Sequence, residues 1–175
     1  MRIISGQARG LTLASPEGDG TRPTLDRVRE AIFSMLFDRT HGAKVLDLFA
    51  GSGAMGLEAV SRGAAEADFV DIDPSSCRCV EKNIEKTRFS NCRVFNTDFQ
   101  RFLENCNKKY DLVFLDPPYE SQYYSKALEL LKKRNLLEDG AMIVAECSIS
   151  HVLDCQGFEV YRQRKYGKVN VYLLT

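Results

Sequence analysis

The chain has 175 residues, enough for one domain with its own core. Hydrophobic residues make up 44% and charged residues 27%, an ordinary globular mix, and no apolar stretch reaches membrane-spanning length. Lys plus Arg equal Asp plus Glu at 24 each, so bulk charge does not announce a nucleic-acid partner.

The first residues, MRIISGQARGLTL, lack the long apolar core of a signal peptide. With no membrane span either, the expected location is the cytoplasm. RIISGQ and GLTLAS read as two short strands, a hairpin extension over residues 1–20. The loop-like stretch SPEGDGTRPT separates it from a single core domain over residues 21–175. TLDRVREAIFSMLF predicts a helix, with Leu25, Val28, Ile32, Met35 and Leu36 on one face and Thr24 as N-cap.

Strands and helices then alternate. AKVLDLFA predicts a buried strand and residues 53–61 a helix. ADFVDI is the next strand, followed by a helix over 75–86. CRVFNT is a third strand, followed by a short helix around FQRFLENC. YDLVFLD is a fourth, followed by a helix over 123–134, and GAMIVAEC is a fifth. Continuous apolar strands between helices predict a parallel sheet covered on both faces. FEVYRQRKYG and KVNVYLLT differ. They predict two strands joined by a tight turn at Tyr166-Gly167-Lys168, an antiparallel hairpin that closes the sheet.

Six cysteines are present, with no CxxC pair and one close pair, Cys77-Arg-Cys79. The chain is not small or loop-rich, so reduced, partly buried thiols are expected. Ligand spacing is missing, and only His41 and His151 are available, so no metal is expected. Local charge is more informative than the total. Residues 156–175 hold Arg162, Arg164, Lys165 and Lys168 against Glu159, and the first twelve hold Arg2 and Arg9 with no acid. Solvated faces and a phosphate-binding surface both fit that pattern.

Residues 45–58 read VLDLFAGSGAMGLE, so Gly51, Gly53 and Gly56 form GxGxxG between a strand and a helix. Glycines there let the backbone turn tightly and approach a ligand. Asp71 lies twenty residues after Gly51 at the end of the second strand, where an acid accepts from ribose hydroxyls. Asp73 is the fallback, or a helix cap before PSSCRCVEKN. Asp47 stands between apolar neighbours inside its strand, a costly place for a carboxylate without a partner. The ammonium of S-adenosylmethionine is such a partner, whereas a plain dinucleotide offers no cation there. Asp98 ends the third strand, as an acceptor for the adenine amino group, a helix cap, or both. Phe99 is positioned to offer its backbone N–H to the adenine ring.

With DLFAGSG at 47–53, VDID at 70–73, NTD at 96–98 and DPPY at 116–119, the chain resembles the class I S-adenosylmethionine-dependent methyltransferases. Within that class it resembles the RsmD family, which methylates the exocyclic N2 amino group of a guanine in 16S ribosomal RNA. RIISGQARGLTL, TRPTLDRVREAIFSML and RKYGKVNVYLL carry this narrower match, which spans nearly the whole chain. One departure is mild: Asp71 stands where Glu is usual in the class. The resemblance implies a Rossmann-like α/β fold, a seven-stranded, mostly parallel sheet with one antiparallel strand and helices on both faces. It also implies S-adenosyl-L-methionine as cofactor, with Phe49 and Ile72 joining the residues above in its site. The implied partner is 16S ribosomal RNA, naked, in the small subunit or in an assembly intermediate. No large apolar patch is evident, which favours a monomer.

The resemblance also assigns chemistry to VFLDPPYES at 113–121. A guanine amino group is a poor nucleophile, because its lone pair is delocalised into the ring. Acceptors that hold its hydrogens favour the lone pair in the transition state. Asp116 is one acceptor and the Pro117 carbonyl the second. Pro118 holds Pro117 extended, and Tyr119 stacks on the base. A base must leave its helix to reach such a pocket. Expected RNA contacts are Arg2, Arg9, Arg22, Arg27, Arg29, Arg164, Lys165 and Lys168. Tyr123 and Tyr124 either wall the pocket or open the helix. DPPY-type motifs serve any planar amino nitrogen, so DNA adenine-N6 or protein glutamine-N5 transfer is the alternative reading.

Overall fold

The computed structural model describes residues 1–16, 23–118 and 121–175. Helix α1 spans Pro23–Leu36 and continues into a 3-10 turn, Phe37–Thr40. The alternating segment follows: β1 (Lys44–Asp47), α2 (Ala54–Ser61), β2 (Glu66–Asp71), α3 (Pro74–Thr87), β3 (Cys92–Asn96), α4 (Phe99–Asn105), β4 (Tyr110–Leu115), α5 (Ser121–Lys133) and β5 (Leu137–Ser148). Strands β6 (Val160–Tyr166) and β7 (Val169–Leu174) close the chain. They form one seven-stranded sheet in the order β3-β2-β1-β4-β5-β7-β6. β1 to β5 run parallel, and β7 is antiparallel to both β5 and β6, as the hairpin at the chain end predicts.

Side-chain alternation divides the core. In β4, Leu112 and Phe114 pack on the face covered by Val28, Ile32 and Phe33 of α1 and Leu57 of α2. Val113 and Leu115 pack on the other, against Leu103 of α4 and Leu128 and Leu131 of α5. Each layer is apolar, so burial on both faces holds the parallel strands. All six cysteines are free. Among the described residues, no helix is long and apolar enough to cross a membrane.

One polar cluster pins the edge of the sheet. Asp68 on β2 is 1% exposed and accepts from Arg93 Nε at 2.8 Å, Lys108 Nζ at 2.9 Å and the Tyr110 hydroxyl at 2.8 Å. Burial pushes this carboxyl up, but those three donors outweigh it and hold Asp68 below the usual range.

Two expectations change. Helix α1 begins at Pro23, so Thr24 lies in its first turn and is not the N-cap. The N-terminal hairpin is not two strands. Its pairing is the single bridge Arg2–Thr12, with Ile3 N–H donating to Leu11 O at 3.0 Å and Gly10 N–H to Ile3 O at 2.8 Å. Leu13 N–H adds a bond to Met1 O at 3.0 Å, but the donors nearer the turn go elsewhere. Ile4 and Ser5 N–H donate to the two oxygens of Glu58 at 2.7 and 3.0 Å, and Ala8 N–H to Ser61 Oγ at 3.0 Å. Gly6, at φ +84, runs so close to α2 that a Cβ would lie 1.7 Å from Ser61 O. The segment is a strap clamped to α2 by a buried acid.

Candidate cofactor and methyl-transfer site

The predicted acids gather at the carboxyl ends of the parallel strands, where open α/β sheets bind ligands. β1 ends at Asp47 and the chain turns through Gly51 (φ 54) and Gly53 (φ 76) into α2. Gly53 N–H donates to Ala50 O at 2.7 Å, closing the turn. Gly56 serves packing: a Cβ there would lie 2.3 Å from the Phe69 ring. Asp47 is 4% exposed, and its Oδ2 accepts the Gly56 N–H at 3.0 Å. Burial pushes this carboxyl up to about 7; the Gly56 bond opposes the rise, and Asp116 and Asp71 add to it. A buried acid this reluctant to ionise gains from a cationic ligand.

Asp71 braces the same loop. Its Oδ2 accepts Gly51 N–H at 2.8 Å and its Oδ1 accepts Asp73 N–H at 2.9 Å. Asp73 is the cap of α3, accepting Ser75 N–H at 2.9 Å. Ile72 between them is 69% exposed, a large apolar side chain left open at a strand end. Asp98 caps α4 through Oδ1, which accepts Gln100 N–H at 2.9 Å and Arg101 N–H at 3.3 Å. Phe99 follows as the first residue of α4, where backbone N–H groups have no intrahelical acceptor.

Three rings converge beside this point. Phe49 and Phe99 have centroids 5.1 Å apart, Phe99 and Tyr123 5.4 Å, and Phe49 and Tyr123 6.3 Å at 20°. Tyr123 is thus part of an aromatic wall. Tyr124 points inward: it is 5% exposed, donates its hydroxyl to Glu146 O and stacks on His151 at 5.3 Å.

Asp116 follows the last residue of β4 and is exposed; Pro117 is buried and Pro118 exposed. Tyr119 and Arg22 lie outside the described residues. A further acid, which sequence reasoning passed over, joins the group. Leu115 on β4 pairs with Ala145 on β5, and the next residues are Asp116 and Glu146. Burial, then Asp116 and Asp47, pushes the Glu146 carboxyl up, with Arg29 opposing. Its position in GAMIVAEC, aligned with DPPY at the end of the neighbouring strand, was the available signal.

The basic residues divide. Arg2, Arg9, Arg27, Arg164, Lys165 and Lys168 are exposed. Ser148 at the end of β5 pairs with Val169, and Ile149 N–H donates to Lys168 O at 3.1 Å. The β6–β7 turn therefore stands at the same end of the sheet as Asp116. Arg29 is a correction. It is 4% exposed, donates to Arg2 O and to Asp26 Oδ1 at 3.1 Å, and lies 3.9 Å from Glu58. It belongs to the internal clamp on the N-terminal strap, not to an RNA surface.

The family described as conserved hypothetical protein 95 matches residues 1–175. Ribosomal RNA small subunit methyltransferase D of Escherichia coli K12 is 37% identical over 171 residues, covering 97% of this chain and 86% of that protein. The chain belongs to the RsmD family of S-adenosylmethionine-dependent methyltransferases. The Haemophilus influenzae protein of the same name is 37% identical over 150 residues, 83% of this chain and 78% of its own. Among solved structures, yhhF from Escherichia coli superposes with a TM-score of 0.89 at 36% identity, covering 99% of this chain and 96% of that one. SMU.776, solved with S-adenosylhomocysteine, shares the fold at TM-score 0.71 and 16% identity, covering 88% of this chain and 50% of its own.

Proposed function

We propose that this RsmD-family chain transfers a methyl group from S-adenosylmethionine to the exocyclic N2 of a guanine in 16S ribosomal RNA. The observation that carries the reading is the placement of Asp47 and Asp116 at the carboxyl ends of the adjacent parallel strands β1 and β4, where Asp47 pairs in register with Phe114, two residues before Asp116. One acid suits the cationic end of the donor, the other the acceptor amine, and the two are neighbours on one sheet. The names of the E. coli and H. influenzae relatives support a small-subunit ribosomal RNA substrate.

In this reading Asp47 would hold the methionine ammonium, and the Gly51–Gly53 turn would let the backbone approach the donor. Asp71 reaches the ribose while bracing the loop. Ile72, Asp98 Oδ2, the Phe99 N–H and the Phe49 ring hold the adenine. The guanine N2 lone pair attacks the sulfonium methyl, the C–S bond breaks, and S-adenosylhomocysteine leaves. Asp116 and the Pro117 carbonyl hold the two amino hydrogens, and Tyr119 stacks on the base. The methylated nitrogen is acidic and releases its proton to Asp116 or water. Arg2, Arg9, Arg22, Arg27, Arg164, Lys165 and Lys168 contact RNA phosphates; the last three extend from the hairpin at the site end of the sheet.

The test is Asp116→Ala. It is expected to bind S-adenosylmethionine as the parent does and to lose methyl transfer. Loss of cofactor binding, or binding of NAD in place of the methyl donor, overturns the assignment.

A further inference from the structure

The N-terminal strap is fastened to the glycine loop through one buried side chain. Asn83 of α3 is fully buried. Its Oδ1 accepts Ala14 N–H at 2.8 Å, and its Nδ2 donates to Ala14 O at 3.0 Å and to Ser52 O at 2.9 Å. Ala14 ends the strap, and Ser52 stands between Gly51 and Gly53. Ser52 O and Gly53 N–H are the two ends of one planar peptide group. Asn83 holds the first and Ala50 O takes the second at 2.7 Å, so the orientation of that peptide is set. Gly51 N–H, on the other side of Ser52, goes to Asp71. One turn before Asn83, α3 also packs against the loop: a Cβ on Gly53 would lie 3.1 Å from Val80 Cγ1. The other end of the strap reaches the same residue. The Ser52 hydroxyl donates to Met1 Sδ at 3.7 Å, and Leu13 N–H donates to Met1 O at 3.0 Å.

We propose that Asn83 is a positioning residue for the methyl donor: it ties the strap to the Ser52–Gly53 peptide, so that the seating of the strap on α2 sets the shape of the donor loop and with it the donor's affinity. This rests on the reading of the Gly51–Gly53 turn as the donor's seat. A glycine-rich turn has many backbone conformations to lose on binding, and a turn already held in shape loses fewer. The hold depends on the strap. Ala14 takes both the Asn83 carbonyl and one amide hydrogen. With the strap lifted those bonds are gone, the amide is free to rotate, and the Ser52 carbonyl loses its fixed donor. Linkage runs both ways, so a donor that prefers the held loop also stabilises the seated strap by the same factor. An asparagine that only supports the fold behaves differently: its loss lowers stability and leaves donor affinity in the folded protein unchanged.

S-adenosylhomocysteine, which binds without reacting, is the probe, read by calorimetry and by amide exchange. In the parent chain its binding is expected to slow exchange at Leu13 and Ala14 about fivefold or more, the lower end of ordinary coupling between sites. Glu159 N–H, paired with Thr175 O, is expected not to change. Asn83→Leu, close in size but without donor or acceptor, is expected to weaken S-adenosylhomocysteine binding about 5- to 50-fold. In transfer to small-subunit ribosomal RNA it should raise KM for S-adenosylmethionine by a similar factor and leave kcat within about threefold. Gly6→Ala lifts the strap from a distance, because its Cβ would lie 1.7 Å from Ser61 O. It is expected to weaken S-adenosylhomocysteine binding in the parent and to add nothing to Asn83→Leu, the non-additivity of two changes on one link. Exchange at Leu13 and Ala14 that is equal with and without ligand in the parent overturns the proposal. So does parent-like affinity in folded Asn83→Leu or in Gly6→Ala, or full additivity of the two. Should the variants fail to fold, the parent's exchange decides alone. A parent chain that binds no methyl donor contradicts the reading of the turn as the donor's seat instead, a separate outcome.

Discussion

The Asp47 carboxylate accepts the Gly56 backbone N–H at 3.0 Å, tying the end of β1 to the first turn of α2 across the glycine loop. The same carboxyl is held up to about 7 by burial. The unfolded chain gives up this proton at a lower pH than the folded one. Asp47 therefore subtracts stability from the ligand-free protein as pH climbs from 3.8 to about 7. A cation beside Asp47 reverses that preference. S-adenosylmethionine binding is expected to release a proton at about pH 6–7, read by calorimetry in buffers of different ionisation enthalpy. Asp47→Asn should abolish the release and weaken binding about 10- to 100-fold, the scale of a hydrogen bond to a charged group. Unchanged proton release in the Asn variant would place the effect elsewhere.

Gly56→Ala tests the packing under the loop. The added Cβ would sit 2.3 Å from the Phe69 ring, which is itself fully buried. Overpacking of this kind costs about 1–3 kcal/mol. Thermal unfolding should show that loss, and Phe69→Leu in the same chain should recover part of it. An Ala variant as stable as the parent would contradict the close contact.

Asp68 ties β2 to Arg93 and to Lys108 and Tyr110. Its carboxyl is depressed, so its contribution is present above the ordinary carboxylate range and is lost as pH falls through the lowered folded value. Asp68→Asn is expected to destabilise by about 2 kcal/mol at pH 7. That is less than the roughly 3–5 kcal/mol lost on breaking a fully buried pair, because Arg93 is half exposed and rehydrates. Denaturant unfolding at pH 7 and again below pH 4 (about the free Asp value) should show the gap between parent and variant closing in acid.

Glu58 is fully buried and holds the strap through Ile4 and Ser5 N–H. Glu58→Gln replaces one acceptor oxygen by an amide nitrogen and leaves Arg29 without its buried counter-charge. Amide exchange at Ile4 and Ser5 should accelerate by about tenfold or more, equivalent to about 1.4 kcal/mol or more of lost local protection. Exchange in β1 and β4 should change far less. Uniform acceleration would mean that Glu58 supports the whole fold and not the strap.

The strands and helices of the core are legible in the sequence because period and punctuation agree there. Short apolar runs such as LVFL at 112–115, set between helical segments, fit parallel strands buried on both sides, and Asp73 and Asp98 announce the helices they cap. The N-terminal strap is not legible, because its partners, Glu58 and Ser61 of α2, are distant in sequence. RIISGQ and GLTLAS carry strand composition, but nothing local says that Ile4 and Ser5 donate to Glu58. Arg29 illustrates the same limit. At the level of sequence it is one of two arginines in a helix that also carries Asp26 and Glu30, and only the packing of α1 over α2 turns it inward. Glu146 was within reach, since two strand ends that carry acids side by side are visible once DPPY and VAEC are aligned.

The most direct test of the account is to incubate the protein with S-adenosylmethionine and unmodified small-subunit ribosomal RNA, free and assembled, and to identify the methylated nucleoside. The account predicts N2-methylguanosine, dependent on Asp116. N6-methyladenosine, or methyl transfer to a protein glutamine with no change in the RNA, would contradict it.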